Sequence, residues 1–178
     1  MKRSDLAKIL AILRRLDIPV VLVGGYAVAA WGAVRATRDI DLLASLPESL
    51  ASQAVKEFKK TGFKVDYRKG DDRDPLRGLI RLERTEALGA TPVEIILGVR
   101  RMPAAIFERA QRISFLGLDM PVAAPEDMIL LKCLAGGPVD LADARSILAV
   151  MKGKLDMKYL EAEAKRLHFS LKMLNAGR

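Results

Sequence analysis

Residues 20–43 constrain this chain more than any other stretch. An apolar run, Val20-Val21-Leu22-Val23, leads straight into Gly24-Gly25, and fifteen residues beyond Gly24 stands Asp39-Ile40-Asp41. An apolar run ending in a glycine pair reads as a strand turning into a short helix. Glycines let the backbone approach a ligand closely, and a helix N-terminus offers free N–H groups to an anion. Side chains alternate faces along a strand, so a strand over residues 37–44 points Asp39 and Asp41 the same way. Two like charges on one face repel unless a cation or protons hold them there. A phosphate cradle followed by a paired-carboxylate strand points to metal-dependent chemistry on a nucleotide.

The chain has 178 residues, 51% of them hydrophobic, which suits one domain, or one domain with a helical appendage, built on a real core. The net charge of +8 is unevenly spread. Residues 1–38 carry seven Lys or Arg against two Asp, and residues 151–178 carry seven against three acids. Basic ends flanking a central acidic site suit a polyanion such as RNA, or simply make a solubilising surface. Cys133 is alone, so the chain has no disulfide framework of its own and no thiolate metal cluster; it reads as a small core residue. His168 is the only histidine, which leaves a Ser-His-Asp triad or a zinc site nothing to build on. The N-terminal apolar residues are broken by Lys8, Arg14 and Arg15 and read as an amphipathic helix rather than a leader. No run is long enough to span a bilayer, so the expectation is a cytoplasmic protein.

Further along, Ser4 is expected to cap a helix over residues 5–16 with Leu6, Ile9, Leu10 and Leu13 on its core side. A helix from Pro47 buries Leu50, Val55 and Phe58 and stops at Gly62, and a strand follows over residues 63–67. Residues 68–75 read as a mobile polar loop. Residues 79–82 and 93–97 read as an antiparallel strand pair joined through Gly89. Residues 102–112 are expected to be helical, and residues 113–122 to form a hairpin around Gly117. From Pro125 the pattern turns helical, with segments over residues 125–135, 141–151 and 156–167 and a break at Gly136-Gly137-Pro138. The last four residues are expected to fray. The fold class is α+β: a small mixed sheet with flanking helices over residues 1–124, and a C-terminal helical section over residues 125–178 packed on it.

Gly24-Gly25-Tyr26-Ala27, Arg35-Ala36-Thr37-Arg38-Asp39-Ile40-Asp41, Val93-Glu94-Ile95-Ile96, Pro125-Glu126-Asp127 with Lys132, and Asp140-Leu141-Ala142-Asp143 together resemble the polymerase-β-like nucleotidyltransferase superfamily. Within it the chain looks most like the AbiEii/MenT-like group of toxin nucleotidyltransferases. The resemblance spans residues 20–148. It implies transfer of a nucleotidyl group from a nucleoside triphosphate to a hydroxyl, with release of pyrophosphate. It also implies Mg2+ or Mn2+ as cofactor, Asp39, Asp41 and Glu94 as metal ligands, and Lys132 at the nucleotide phosphates. A tRNA 3′ end or other RNA is the implied acceptor, and a cognate antitoxin or other partner protein the implied companion.

The residues themselves are compatible with that reading. Two divalent ions about 3.5–4 Å apart neutralise a triphosphate and activate a hydroxyl, and hard cations take carboxylate oxygens. Glu94 sits mid-strand among apolar residues, where a lone acid is costly, and is the expected third ligand; otherwise it is an exposed edge position. The superfamily more often carries Asp there, and Glu reaches one methylene further. Gly24 and Gly25 would let the triphosphate approach. Arg35 and Thr37 stand just before the acids and can reach phosphate, or Arg35 faces solvent. Lys132 interrupts an apolar helix face and either snorkels or enters a cleft. Asp140 and Asp143 share a helix face, where a plain role is to complement the helix dipole. Tyr26 either stacks on a base or packs, and Trp31 packs. Other acceptors stay open, namely a protein hydroxyl or an aminoglycoside-like small molecule. So does a non-catalytic nucleotide-binding subunit of a partner protein.

Overall fold

The computed structural model describes residues 2–33, 35–84 and 91–174. Helix α1 (Arg3–Arg15) leads through Pro19 into β1 (Val20–Val23), which turns directly into α2 (Gly24–Ala30). Strand β2 (Ile40–Ala44), helix α3 (Glu48–Lys60), and strands β3 (Phe63–Lys69), β4 (Gly78–Arg84) and β5 (Val93–Ile96) follow. A hairpin of β6 (Gln111–Phe115) and β7 (Leu118–Val122) completes the sheet. Helices α4 (Pro125–Ala135), α5 (Pro138–Val150) and α6 (Met157–Arg166) close the chain.

The seven strands form one mixed sheet in the order β3-β4-β5-β2-β1-β7-β6. At its centre β1 runs antiparallel to β2, β2 parallel to β5, and β1 parallel to β7. Those central strands are apolar because both faces are covered. Val21, Leu22, Leu42, Leu43, Val93 and Ile95 are all buried. The α+β class and the expected strand pair are both present, with β4 and β5 antiparallel in the register Leu79↔Ile96 to Leu82↔Val93. The expected connection through Gly89 lies outside the described residues, as do the last four residues. Leu116 and Gly117 both have positive φ, 51° and 72°. Two such residues make the tight turn whose twist matches an antiparallel hairpin.

Several expectations are corrected. Helix α1 starts before Ser4, with Lys2 at the cap position and no side-chain cap. Its first turn is instead tied down by buried Asp5, which accepts from Arg84 Nη2 at 2.6 Å and Nε at 2.9 Å. Strand β2 begins at Ile40, not residue 37; the Ile40 N–H finds its ladder partner in Pro92 O at 3.0 Å, while Thr37 Oγ1 turns back to Asp39 O at 3.3 Å. Residues 102–112 form only a 3-10 turn, Ala104–Ile106, before β6 begins. Ile106 is the one well-buried side chain there, and Arg109 is drawn away to Glu126 and Asp127 at 2.8 and 3.1 Å. Residues 68–75 are a pinned turn. Strand β3 runs on to Lys69, Asp71 accepts from the N–H groups of Arg73 and Asp74, and Arg100 donates to the carbonyls of Asp71 and Asp74.

Helix α5 also starts at Pro138, three residues earlier than its apolar pattern suggests. A left-handed Gly136, φ 69°, ends α4 and lets α5 fold back against it. Helix α4 in turn packs on α2, α5 and α6.

Candidate active site

The site is built where β1 ends, α2 begins and β2 starts. Val23 is the register partner of Asp41, so the glycine pair emerges beside that carboxylate. Gly24 has φ +66°, which costs a non-glycine residue roughly 1–2 kcal/mol. A Cβ on Gly24 would stand 1.8 Å from Asp41 Oδ2, and one on Gly25 would stand 2.6 Å from Thr37 Cβ. Both glycines are therefore required by packing around Asp41 and Thr37. The Gly25 N–H donates to the Asp41 carboxylate. Helix α2 is only seven residues long, and this first-turn amide, expected to face phosphate, serves the aspartate.

Asp41 is half-buried, and its carboxyl is pushed up to about 6. Burial is the main cause, followed by the charges of Glu94 and then Asp39; Lys132 and the Gly25 N–H pull the other way. Asp39 and Glu94, the other two carboxylates expected from the sequence, are thus close enough to act on Asp41, and so is the Lys132 ammonium. Asp39 stands in the bend before β2 rather than on the strand, but it remains beside Asp41. Glu94 is the register partner of Asp41 on the neighbouring parallel strand.

Each expected phosphate-binding cation has a carboxylate partner. Lys132 is 8% exposed, and its Nζ lies 2.9 Å from Asp140 Oδ1 and 2.8 Å from Asp143 Oδ2. Arg35 pairs with the same Asp143. Asp140 and Asp143, one turn apart on α5, thereby hold both cations against the site.

Tyr26 is not open for stacking on one edge: its ring meets Phe115 edge-on, with centroids 5.0 Å apart. Trp31 is a packing residue whose indole N–H donates to Ala123 O at 2.9 Å. Cys133 is buried, which pushes its thiol up to about 11.

The sequence did not single out one neighbour of these carboxylates. Arg81 on β4 is the register partner of Glu94, and its Nη1 donates to Glu94 Oε1 at 2.5 Å. The alternation in Leu79-Ile80-Arg81-Leu82 marks Arg81 as facing away from Ile80 and Leu82, but only the β4–β5 register sets it opposite Glu94.

The donor set is chemically suited to a hard divalent cation: carboxylate oxygens whose mutual repulsion such an ion would relieve. Among the described residues no three side chains of His, Cys, Asp or Glu are arranged to hold a metal by themselves. Mg2+ usually takes only one or two protein carboxylates, with water and substrate phosphates completing its shell. Asp39 and Asp41 meet that smaller requirement.

Residues 2–169 match the family model described as "nucleotidyl transferase of unknown function (DUF2204)". The chain belongs to this family of nucleotidyl transferases. No curated protein sequence matches it. Among solved structures, the nucleotidyl transferase resembles the antibiotic-resistance factor ANT(2'')-Ia at 16% identity and TM-score 0.61, over 93% of this chain and 91% of the other. It also resembles the lincosamide antibiotic adenylyltransferase LnuA (13%, TM-score 0.53, 84% and 98%) and JHP933 from Helicobacter pylori (21%, TM-score 0.51, 92% and 71%). At these identities the likeness shows a common fold. For this nucleotidyl transferase the fold brings Asp39, Asp41, Glu94 and Lys132 to one end of β2, and the last nine residues of the chain lie outside the matched region.

Proposed function

We propose that this nucleotidyl transferase moves a nucleotidyl group from a nucleoside triphosphate to a hydroxyl acceptor and releases pyrophosphate. The observation that carries this reading is the convergence of Asp39, Asp41 and Glu94 with Lys132 in their field. Asp39 and Asp41 would hold Mg2+ or Mn2+, and Glu94 would be the third ligand. When bound, the metal neutralises triphosphate charge and lowers the pKa of the attacking hydroxyl.

The chain's own residues divide the remaining work. The acceptor oxygen forms a bond to the α-phosphorus, the bond to the β-phosphate oxygen breaks, and the hydroxyl proton passes to the carboxylate cluster. Gly24 and Gly25 leave room at the start of α2 for the Asp41 and Thr37 side chains, which sets those groups beside the phosphates. Lys132, Arg35 and Thr37 line the phosphate side. Asp140 and Asp143 hold Lys132 and Arg35 in place until the triphosphate arrives. In this reading residues 1–124 supply the carboxylates, and residues 125–178 supply the second wall of the cleft.

The acceptor we favour is a tRNA 3′ end, as in a toxin of the AbiEii/MenT-like group working in the cytoplasm beside a cognate antitoxin. The basic ends of the chain support it, with seven cationic residues in each of residues 1–38 and 151–178. No helix among the described residues is long and apolar enough to cross a membrane.

A small-molecule hydroxyl is the second reading. It is favoured by the match to ANT(2'')-Ia, solved with adenylyl-2''-tobramycin, which covers 92% of this chain and 97% of that one. The test is incubation of purified protein with tRNA, Mg2+ and each of four labelled nucleoside triphosphates, with parallel reactions on protein and aminoglycoside acceptors. Labelled tRNA supports the first reading and labelled antibiotic the second. Absence of label in every acceptor, with tight triphosphate binding retained, means a nucleotide-binding subunit instead.

A further inference from the structure

Arg81, Glu94 and Asp41 form one row across three adjacent strands, through the register pairs Arg81↔Glu94 and Asp41↔Glu94. Residues paired in register present their side chains on the same face, within reach of one another. Arg81 Nη1 donates to Glu94 Oε1 at 2.5 Å, while Arg81 Nε donates to Glu83 Oε1 at 2.8 Å. The guanidinium therefore grips Glu94 with one arm and is anchored by Glu83 with the other. Arg81 is 36% exposed and Glu94 23%, so the pair sits at the edge of the site, not deep within it.

We propose that Arg81 is a positioning residue that withholds Glu94: the free protein offers a divalent cation two aspartates, and Glu94 joins them only by giving up Arg81. This rests on the reading of Asp39 and Asp41 as cation ligands. Three observations support it. One of the two Glu94 carboxylate oxygens, Oε1, is already accepting a charge-assisted hydrogen bond from Arg81. No three acidic or imidazole side chains among the described residues are arranged to hold a metal. Finally, Glu83 keeps a carboxylate on Arg81 when Glu94 leaves, so the exchange strands no unpaired charge. The extra methylene of Glu over Asp also gains a reason. Position 94 has to reach an arginine on one neighbouring strand and aspartates on the other.

The test measures Mn2+ binding without nucleotide, from the electron paramagnetic resonance signal of free Mn2+. Arg81→Gln should bind Mn2+ roughly tenfold more tightly than wild type, the scale of one charge-assisted hydrogen bond. Arg81→Lys should stay near wild type. In a Glu94→Gln background the Arg81→Gln change should have no effect, because Glu94 is the residue through which Arg81 acts. Equal tightening in that background would mean that Arg81 acts only as a distant charge, and the proposal would be overturned. Unchanged or weaker binding by Arg81→Gln would overturn it as well. Wild-type Mn2+ binding that survives Asp39→Asn with Asp41→Asn would sink the aspartate reading itself, a different failure. A measurement on wild type needs no variant to fold: the Arg81 side-chain nitrogen resonances should report the Glu94 bond in the free protein. They should shift once Mg2+ and a non-hydrolysable triphosphate saturate it, and resonances unmoved at saturation overturn the proposal.

Discussion

Gly24 lies directly beneath Asp41, so close that a methyl group on Gly24 would stand 1.8 Å from Asp41 Oδ2. The glycine also has φ +66°, a conformation that L side chains rarely adopt. Gly24→Ala should therefore push Asp41 aside and strain the turn together. A misplacement of about 1 Å at a reacting centre costs on the order of a hundredfold in rate. We expect transfer activity to fall by that factor or more, with a loss of at least about 1 kcal/mol of stability in urea unfolding. A Gly24→Ala protein with wild-type turnover would show that Asp41 is not where the chemistry occurs.

Asp41 makes a pH prediction. Its carboxyl rises from 3.8 to about 6 in the folded protein, chiefly through burial and then through Glu94 and Asp39. A carboxyl raised on folding favours the folded state fully below pH 3.8, and that contribution is lost as pH rises through 6. Asp41→Asn should therefore be more stable than wild type at pH 8, by on the order of 1–3 kcal/mol at this half-buried site. The gain should shrink as pH falls from 7 toward 4. Thermal melts of metal-free protein across that range measure it. The same variant should lose transfer activity at every pH.

Asp143 joins Lys132 and Arg35, at 2.8 Å in the case of Lys132. Removing one member of a buried ion pair leaves the other charged and uncompensated, at a cost of about 3–5 kcal/mol. Asp140 still accepts from Lys132 at 2.9 Å, so Asp143→Ala should cost less, about 2 kcal/mol by urea denaturation. Lys132→Met should instead raise the KM for the triphosphate. Equal KM values for Lys132→Met and wild type would remove Lys132 from the phosphate side.

Asp127 is fully buried and accepts from Tyr159 Oη–H at 2.7 Å and Arg109 Nε at 3.1 Å. Arg109 also stacks over the Tyr159 ring, 3.7 Å from its centroid. Tyr159→Phe keeps the stack and removes a donor from a buried carboxylate, which costs about 1–3 kcal/mol. The change should lower the melting temperature by several degrees and leave the triphosphate KM unaltered, since the cluster lies outside the carboxylate row. An altered KM would place α6 in the substrate path.

Local signals were strong wherever one stretch of chain decided the outcome. The β1 run, the Leu116-Gly117 turn and α4 with its proline start and glycine stop all lie where periodicity and turn chemistry put them. The signals failed where a distant residue decided. Helical spacing over residues 102–112 lost to Arg109, which leaves that segment for Asp127 and Tyr159. The polar composition of residues 68–75 suggested mobility, but Arg100 ties two of its carbonyls from 26 and 29 residues away.

The candidate site divides in the same way. Residue type and spacing in the sequence alone determined which groups are candidates for the chemistry: a glycine pair, two aspartates, a strand glutamate and a lysine in an apolar helix. Tertiary structure alone decided what each of them touches. Strand register set Arg81 against Glu94, and the fold-back of α5 set Asp143 against both Lys132 and Arg35. The physical reason is that ion pairs and carboxylate repulsion depend on distances across strands and helices, which the order of residues along a chain does not contain.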